Sequence, residues 1–397
     1  MTSVESRTRA LNAADLVVAT AAFAEQFAAG AADRDRERAL PAEQIRALAD
    51  VGVLAVSVPA EFGGPGGGAV ETAEVTRLLA TADPNIAQIP HSHFVYLRFA
   101  ELVGSGQLKR DLFADVLRGS TIANAQSERG GRTVNDISTQ IEFGPGDAVV
   151  NGRKYYATGS LFADWLAVWA RDAQGVDHIA FLPANETGIE ITDDWSSFGQ
   201  RTTGSGTVTF SDVHALPAYV APRAEALTGP HAYGPYAQVL HAAIDAGIAR
   251  GALADAAAYV RLRSRPWFEA GVEHAAEDAL TVQRFGDLEV EVRAAEASLA
   301  IAAAAVDEAF AARSAPAHAE ASLAVAAAKV LADRAANEVT TAMFELTGTS
   351  ATDAHYGLDR HWRNARVHTA HDPVRWKLQH LGRWALNRTV PPRHGQI

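Results

Sequence analysis

GDAVVNGRKYYATGSLFADWLAVWARDAQGVDHIAFL, residues 146–182, is the stretch whose reading decides the fold. Ala148-Val149-Val150, Trp165–Arg171 and His178–Leu182 are short and rich in β-branched and aromatic residues, with Gly, Asp and Asn between them. Thr207–Phe210 repeats the pattern further on, and Asn151-Gly152 reads as a hairpin turn. A small β-block therefore spans about 119–222.

On either side the period is helical. Asp15–Gly30 is Ala-rich without an internal Pro. The next helix opens at Pro41 in its first turn, carries Ile45, Leu48 and Val51 at helical spacing, and stops at Gly52. Val53–Pro59 reads as extended, Glu61–Gly68 as a loop, and Val70–Ala82 and Phe94–Val103 as helices. Beyond about 223, Leu288, Val292, Ala295, Leu299, Ala302 and Val306 step by four and three. Residues 318–346 are again Ala-rich, and small side chains suit close helix packing, so an antiparallel four-helix bundle is expected. The expected class is α+β in three parts: a helical 1–118, a β-domain 119–222 and a helical bundle 223–397.

Composition narrows the function. The 397 residues are 48% apolar and 21% charged, as in an ordinary globular protein. A net charge of −12 argues against a nucleic-acid partner. With no Cys there is no disulfide, thiol nucleophile or thiolate metal site. Leu16–Phe23 lacks the flanks of a signal peptide, and no run reaches the ~20 apolar residues of a membrane helix, so a cytoplasmic protein is expected.

Four segments in order carry a resemblance. They are VPAEFGG at 58–64, GSGQLKRDLFADVLRGSTIANAQSE at 104–128, GRKYYATGS at 152–160 and YVRLRSRPW at 259–267. Together they resemble the acyl-CoA dehydrogenase-fold flavoproteins. The last helix departs from the dehydrogenases. Where they carry Tyr-Glu-Gly-Thr, with a Glu that in many members abstracts a proton, this chain has His371-Asp372-Pro373-Val374. That segment, within DRHWRNAR-HT-HDP, and DDWSSFGQRTTGSGTV at 193–208 resemble dibenzothiophene monooxygenase and the related sulfur-acquisition oxidoreductases. The resemblance implies FMN, supplied reduced by a separate NAD(P)H:flavin reductase. It also implies O2 as co-substrate, a flavin hydroperoxide as oxidant, a small sulfone, sulfoxide, sulfinate or thiophene as substrate, and a homotetramer.

It also implies site residues. The loop Asn124, Ala125, Gln126, Ser127, Glu128 and Arg129 is expected at the flavin, with Tyr96, and the dehydrogenases' Thr-Glu-Pro is absent from it. Tyr156 and Thr158, two apart on a strand, share a face, so Tyr156 is expected beside the ring and Thr158, with Gly159, at its N5/C4a edge. Trp195 is a candidate pocket wall. Arg263 suits the flavin phosphate, often across a subunit boundary, with Arg265 competing and Thr349-Ser350 after Gly348 adding donors. His368 and His371, three apart, fall on one helical face if the helix persists. His371 with Asp372 is the expected catalytic pair, the imidazole holding or giving a proton and the carboxylate orienting it. Asp372 as a remnant dehydrogenase base is the competing role, and Pro373 disturbs the helix there. His-x-x-His plus Asp also suits zinc, but no equally convincing further ligand exists, so no metal is expected. The alternatives to a monooxygenase are an FAD-dependent acyl-CoA dehydrogenase and a non-catalytic flavin-binding regulatory protein.

Overall fold

The computed structural model describes residues 11–397. Six helices come first: α1 (Ala13–Ala28), α2 (Ala31–Glu37), α3 (Ala42–Val51), α4 (Ala69–Ala82), α5 (Pro84–Val103) and α6 (Gly106–Leu117). Asn12 caps α1: its side chain accepts from the Asp15 amide at 2.9 Å, and the Asp15 carboxylate accepts from the Asn12 amide at 3.2 Å. Gly52 ends α3 with φ of 90°, a left-handed turn that glycine enters without a Cβ clash. Pro41 sits just outside that helix as its cap rather than in the first turn.

Val53–Pro59 is not extended. Val53–Ala55 is a 3-10 turn, with the Val56 amide donating to the Val53 carbonyl at 3.2 Å. These residues are buried, so the backbone must satisfy itself locally. The glycine loop that follows folds back onto them, and a Cβ on Gly64 would lie 2.2 Å from the Val58 carbonyl oxygen.

Eight strands follow: β1 (Ile122–Ala125), β2 (Gln140–Gly144), β3 (Asp147–Lys154), β4 (Trp165–Arg171), β5 (Asp177–Pro183), β6 (Ile189–Thr192), β7 (Thr207–Ala215) and β8 (Val220–Pro222). They form one sheet in the order β6-β7-β3-β2-β4-β5-β8, with β1 parallel to β4. The hairpin expected at Asn151-Gly152 lies elsewhere. Asn151 and Gly152 are inside β3, where its register against β7 shifts, and the β2–β3 turn is at Gly144–Asp147. Gly152 is needed for closeness: a Cβ there would meet Thr139 Oγ1 at 2.4 Å.

The chain ends in α7 (Arg223–Thr228), α8 (Tyr233–Leu262), α9 (Ala279–Ala312), α10 (Ala315–Thr347), α11 (Asp359–Thr369) and α12 (Val374–Asn387). The stripe from Leu288 to Val306 is buried, as its spacing requires. This part supplies the three long helices α8, α9 and α10. The short α11 and α12 pack on α10, and α4 packs on α8 from the first part of the chain. No helix among the described residues is long and apolar enough to cross a membrane.

Candidate active site between the sheet and the helices

α5 joins the two halves of the site. On one side, Ile89 lies 3.4 Å from where a Gly159 Cβ would sit, and His93 Nδ1 accepts from the Ile122 amide at 3.0 Å. On another, His91 Nε2 donates to the Ala237 carbonyl at 3.0 Å, and its ring stacks 3.9 Å from that of His241 on α8. His371 lies 4.3 Å from the same His241 ring, centroid to centroid, and His368 Nε2 is 3.2 Å from His241 Nδ1. Four imidazoles from three parts of the chain therefore meet: His91, His241 and His368 are buried, and His371 is exposed.

The β-side is tied to this cluster by a hydrogen-bonded string. Thr158 Oγ1 is 2.8 Å from Ser205 Oγ, and Ser205 is 2.7 Å from Thr203 Oγ1, which donates to the Gln200 carbonyl at 3.0 Å. The Gln200 amide in turn donates to Asn364 Oδ1 on α11 at 2.7 Å, one helical turn before His368. Trp195 Nε1 also donates to the Gln200 carbonyl, and its ring stands 5.9 Å from Tyr156, so the two rings form one aromatic wall.

Several expected residues are placed differently. Tyr156 and Thr158 are not on a strand, because β3 ends at Lys154. Tyr156 takes a left-handed φ of 59° and is half exposed, whereas Thr158 is buried. The chain leaves the sheet because its amides are claimed by neighbouring loops: Tyr155 donates to Ser127, Ala157 to Gly206 and Gly159 to Thr203. Glu128 turns inward. Its carboxylate accepts from Lys154 Nζ at 2.8 Å and from the amides and hydroxyls of Ser138 and Thr139. Burial raises that carboxyl, but these donors more than offset it and hold it at about 2. The Glu128 side chain is thus an anchor of the loop. Lys154 also donates to the Gln126 carbonyl, while exposed Arg129 lies 3.3 Å over the Tyr155 ring. Asn124 and Ala125 close β1. Tyr96 belongs to the core, edge-on to Phe99 and Phe181, and offers no surface to a ligand.

His368 and His371 do share a side, with rings 6.4 Å apart, although α11 stops at Thr369 and Pro373 caps α12. Asp372 does not hydrogen-bond His371. Its Oδ2 is 2.7 Å from Lys377 Nζ, and Lys377 also donates to Gln238 Oε1 and the Gln396 carbonyl. Burial raises the Asp372 carboxyl, but Lys377, Lys329 and His371 outweigh it and hold it below its ordinary value.

Arg263 ends α8, with its guanidinium 5.0 Å over Tyr356, and Tyr259 donates to Ser350 Oγ at 3.0 Å. Between His241 and Arg263 the helix rises roughly 33 Å. Arg263, Thr349 and Ser350 therefore cannot meet the same flavin ring as His371 within one chain. Arg265 lies beyond the end of α8.

The residues present suit a flavin edge, where donors and acceptors alternate. Asn124 Oδ1, Gln88 Oε1, both Gln200 side-chain amide atoms and Thr202 Oγ1 are buried with no hydrogen-bond partner among the described residues. Buried polar atoms are ordinarily paired, so these stand ready for a polar ligand. Sequence reading missed Gln88, His91, Gln200 and His241. The available signal was polar residues inside apolar helices, as in Ile89-Pro90-His91-Ser92-His93-Phe94.

Burial holds the inner imidazoles neutral, pushing His91 down to about 3 and His93 to about 4. Below pH 6.5 the unfolded chain takes up these protons and the folded one does not. Each such group therefore removes about 1.4 kcal/mol of stability per pH unit as pH falls toward 4. For these two we expect a combined slope of about 3 kcal/mol per unit between pH 6 and 4.5, read from urea midpoints. A flat profile there means charged imidazoles.

Residues 14–120, 123–213 and 239–376 match the acyl-CoA dehydrogenase N-terminal, middle and C-terminal domain models. The chain is 31% identical over 393 residues to dibenzothiophene monooxygenase of Rhodococcus qingshengii, covering 95% of this chain and 94% of that one. It is 33% identical over 377 residues to the probable FMNH2-dependent monooxygenase SfnC of Pseudomonas putida, covering 93% and 94%. The crystal structure of FMN-bound TdsC from Paenibacillus sp. A11-2 superposes with a TM-score of 0.92 at 30% identity, over 96% of this chain and all of that one.

Proposed function

This chain belongs to the acyl-CoA dehydrogenase family, and from that premise we propose that it is a flavin-dependent monooxygenase that uses reduced FMN and O2 to oxygenate a small organosulfur compound. The observation that carries this reading is the meeting of His91, His241, His368 and His371 next to Asp372, the position that matches the dehydrogenases' Glu and that here is taken up by Lys377. Asp372 is a poor base, because Lys377 and Lys329 stabilise its ionised form. A proton-abstracting dehydrogenase role is thereby disfavoured.

Reduced FMN, when bound, supplies the two electrons that let one atom of O2 enter the sulfur compound and the other leave as water. The protein's part is positioning, dryness and proton control. Asn124, Gln88 and Gln200 hold the ring edge, with Thr158 within hydrogen-bond reach of it and Tyr156 and Trp195 covering one side. His371 holds or delivers the proton at the reacting oxygen, and His91 faces it across His241. A separate NAD(P)H:flavin reductase supplies the flavin. Arg263, with Thr349 and Ser350, meets the flavin phosphate of a neighbouring copy in a homotetramer, and the protein works in the cytoplasm beside its reductase.

The test is direct. Purified protein, FMN, NADH and a flavin reductase in air are offered a panel of sulfones, sulfoxides, sulfinates and thiophenes under 18O2. Label in the sulfur product supports the proposal. Reduction of an electron acceptor driven by acyl-CoA, with no labelled product, replaces it with a dehydrogenase.

A further inference from the structure

Behind the imidazoles lies a second layer of charge inside the helical bundle. Asp245 on α8 and Lys329 on α10 are both wholly buried and form an ion pair. The other oxygen of Asp245 lies 2.5 Å from His368 Nδ1. A buried ion pair is weak evidence for stability, since apolar residues of similar volume often serve as well. Nor does a buried imidazole need one: His91 and His93 each donate to a backbone carbonyl instead. His368 alone in this cluster is given a carboxylate, and that carboxylate a lysine.

We propose that Asp245 and Lys329 are a positioning pair that fixes the proton on His368 Nδ1 and makes the His241–His368 string a proton store for the site. This rests on the monooxygenase reading above. The logic is one of donors and acceptors. An ionised carboxylate only accepts, so His368 Nδ1 carries hydrogen. Its Nε2 is then the acceptor for His241 Nδ1–H, 3.2 Å away. His241 Nε2 is left as that ring's basic nitrogen, in the stack with His91 and His371.

A proton taken up at His241 Nε2 is matched by transfer of the Nδ1 hydrogen to His368 Nε2. The charge then rests as an imidazolium against Asp245, and the reverse transfer returns the proton to His241 Nε2, in the ring that stacks on His371. No electrons move, and each hydrogen gained at one nitrogen is lost at the next. Lys329 keeps Asp245 an acceptor: burial raises that carboxyl, but Lys329 and His368 hold it below its ordinary value. The other charged groups facing the string are Asp333 on α10, which accepts from Asn337, and Asp372 with Lys377 at the start of α12. Arg366 is held off by Asn337 Oδ1, to which it donates at 2.5 Å.

The test uses Asp245→Asn and the double variant Asp245→Asn/Lys329→Met. In the single variant Lys329 claims the amide oxygen, so the amide NH2 faces His368 and its hydrogen must move to Nε2. In flavin-free protein, 15N NMR of the histidine rings is expected to show Nδ1–H at His368 in the wild type and Nε2–H in Asp245→Asn. With FMN and reductase, sulfur product per reduced flavin is expected to fall at least tenfold, with hydrogen peroxide taking its place. KM for the sulfur compound and FMN affinity should stay within twofold. The double variant leaves no charge unpaired. It should keep Nδ1–H, yet lose product yield several-fold, with the alkaline limb of the yield moved to lower pH because the imidazolium has lost its counter-charge. It carries the test alone if the single variant does not fold. Wild-type yield and pH profile in the folded variants overturns the proposal, as does a loss of yield that merely tracks falling FMN affinity and thermal midpoint. If the wild type oxygenates no sulfur compound, the monooxygenase reading fails, whereas the NMR tautomers still decide the positioning role.

Discussion

Replacing His371 by alanine is expected to lower sulfur oxygenation by about 10²–10⁴-fold, the range typical of removing a positioned acid or base. Reduced flavin should still be consumed, with hydrogen peroxide replacing the oxygenated product. The reason lies in what His371 touches. Its ring stacks on His241, and its carboxylate neighbour Asp372 is committed to Lys377. No flavin-edge residue identified above depends on it: Asn124, Gln88, Gln200 and Thr158 lie on α5, β1 and the loops of the sheet. FMN affinity in the variant is therefore expected within twofold of wild type by fluorescence quenching. Unchanged product yield per flavin would falsify the role given to His371. A matching loss of FMN affinity would make it a binding residue instead.

Lys329→Met should be the most destabilising of the single changes considered. Lys329 and Asp245 are both fully buried, and methionine fills the lysine stem without its charge. The variant leaves Asp245 with His368 as its one remaining partner among the described residues. Removing one member of a buried pair typically costs about 3–5 kcal/mol, whereas removing both charges costs far less. Urea unfolding is expected to show that loss in Lys329→Met and its recovery in Asp245→Asn/Lys329→Met. Equal loss in both would mean that packing, not the orphaned carboxylate, is responsible.

Much of the architecture was legible because it is periodic. The stripe from Leu288 to Val306 has the spacing that one buried face imposes, and Trp165–Arg171 forms a strand buried along nearly its whole length, as its apolar and aromatic run suggests. Gly52 ended its helix for a local reason, its freedom at positive φ. The errors came where tertiary contacts set the backbone. Asn151-Gly152 looked like a turn but serves a close approach to Thr139 inside a strand. Tyr156 and Thr158 looked like one strand face, yet the chain between them bonds to three other loops and turns.

The candidate site divides the same way. His371, Thr158, Asn124 and Trp195 stood out in short motifs. His91, His241, Asp245 and Lys329 did not, because each is a polar residue set in a largely apolar or Ala-rich helix and its partner lies far along the chain: 150 positions separate His91 from His241, and 84 separate Asp245 from Lys329. By itself the sequence determined the order of helices and strands, the lack of thiol chemistry and the family, since these follow from residue type and spacing along one chain. The tertiary structure alone decided that four imidazoles meet and that a buried carboxylate and ammonium stand behind them. Hydrogen-bond partners and desolvation depend on what packs against a residue, and nothing in linear spacing encodes that.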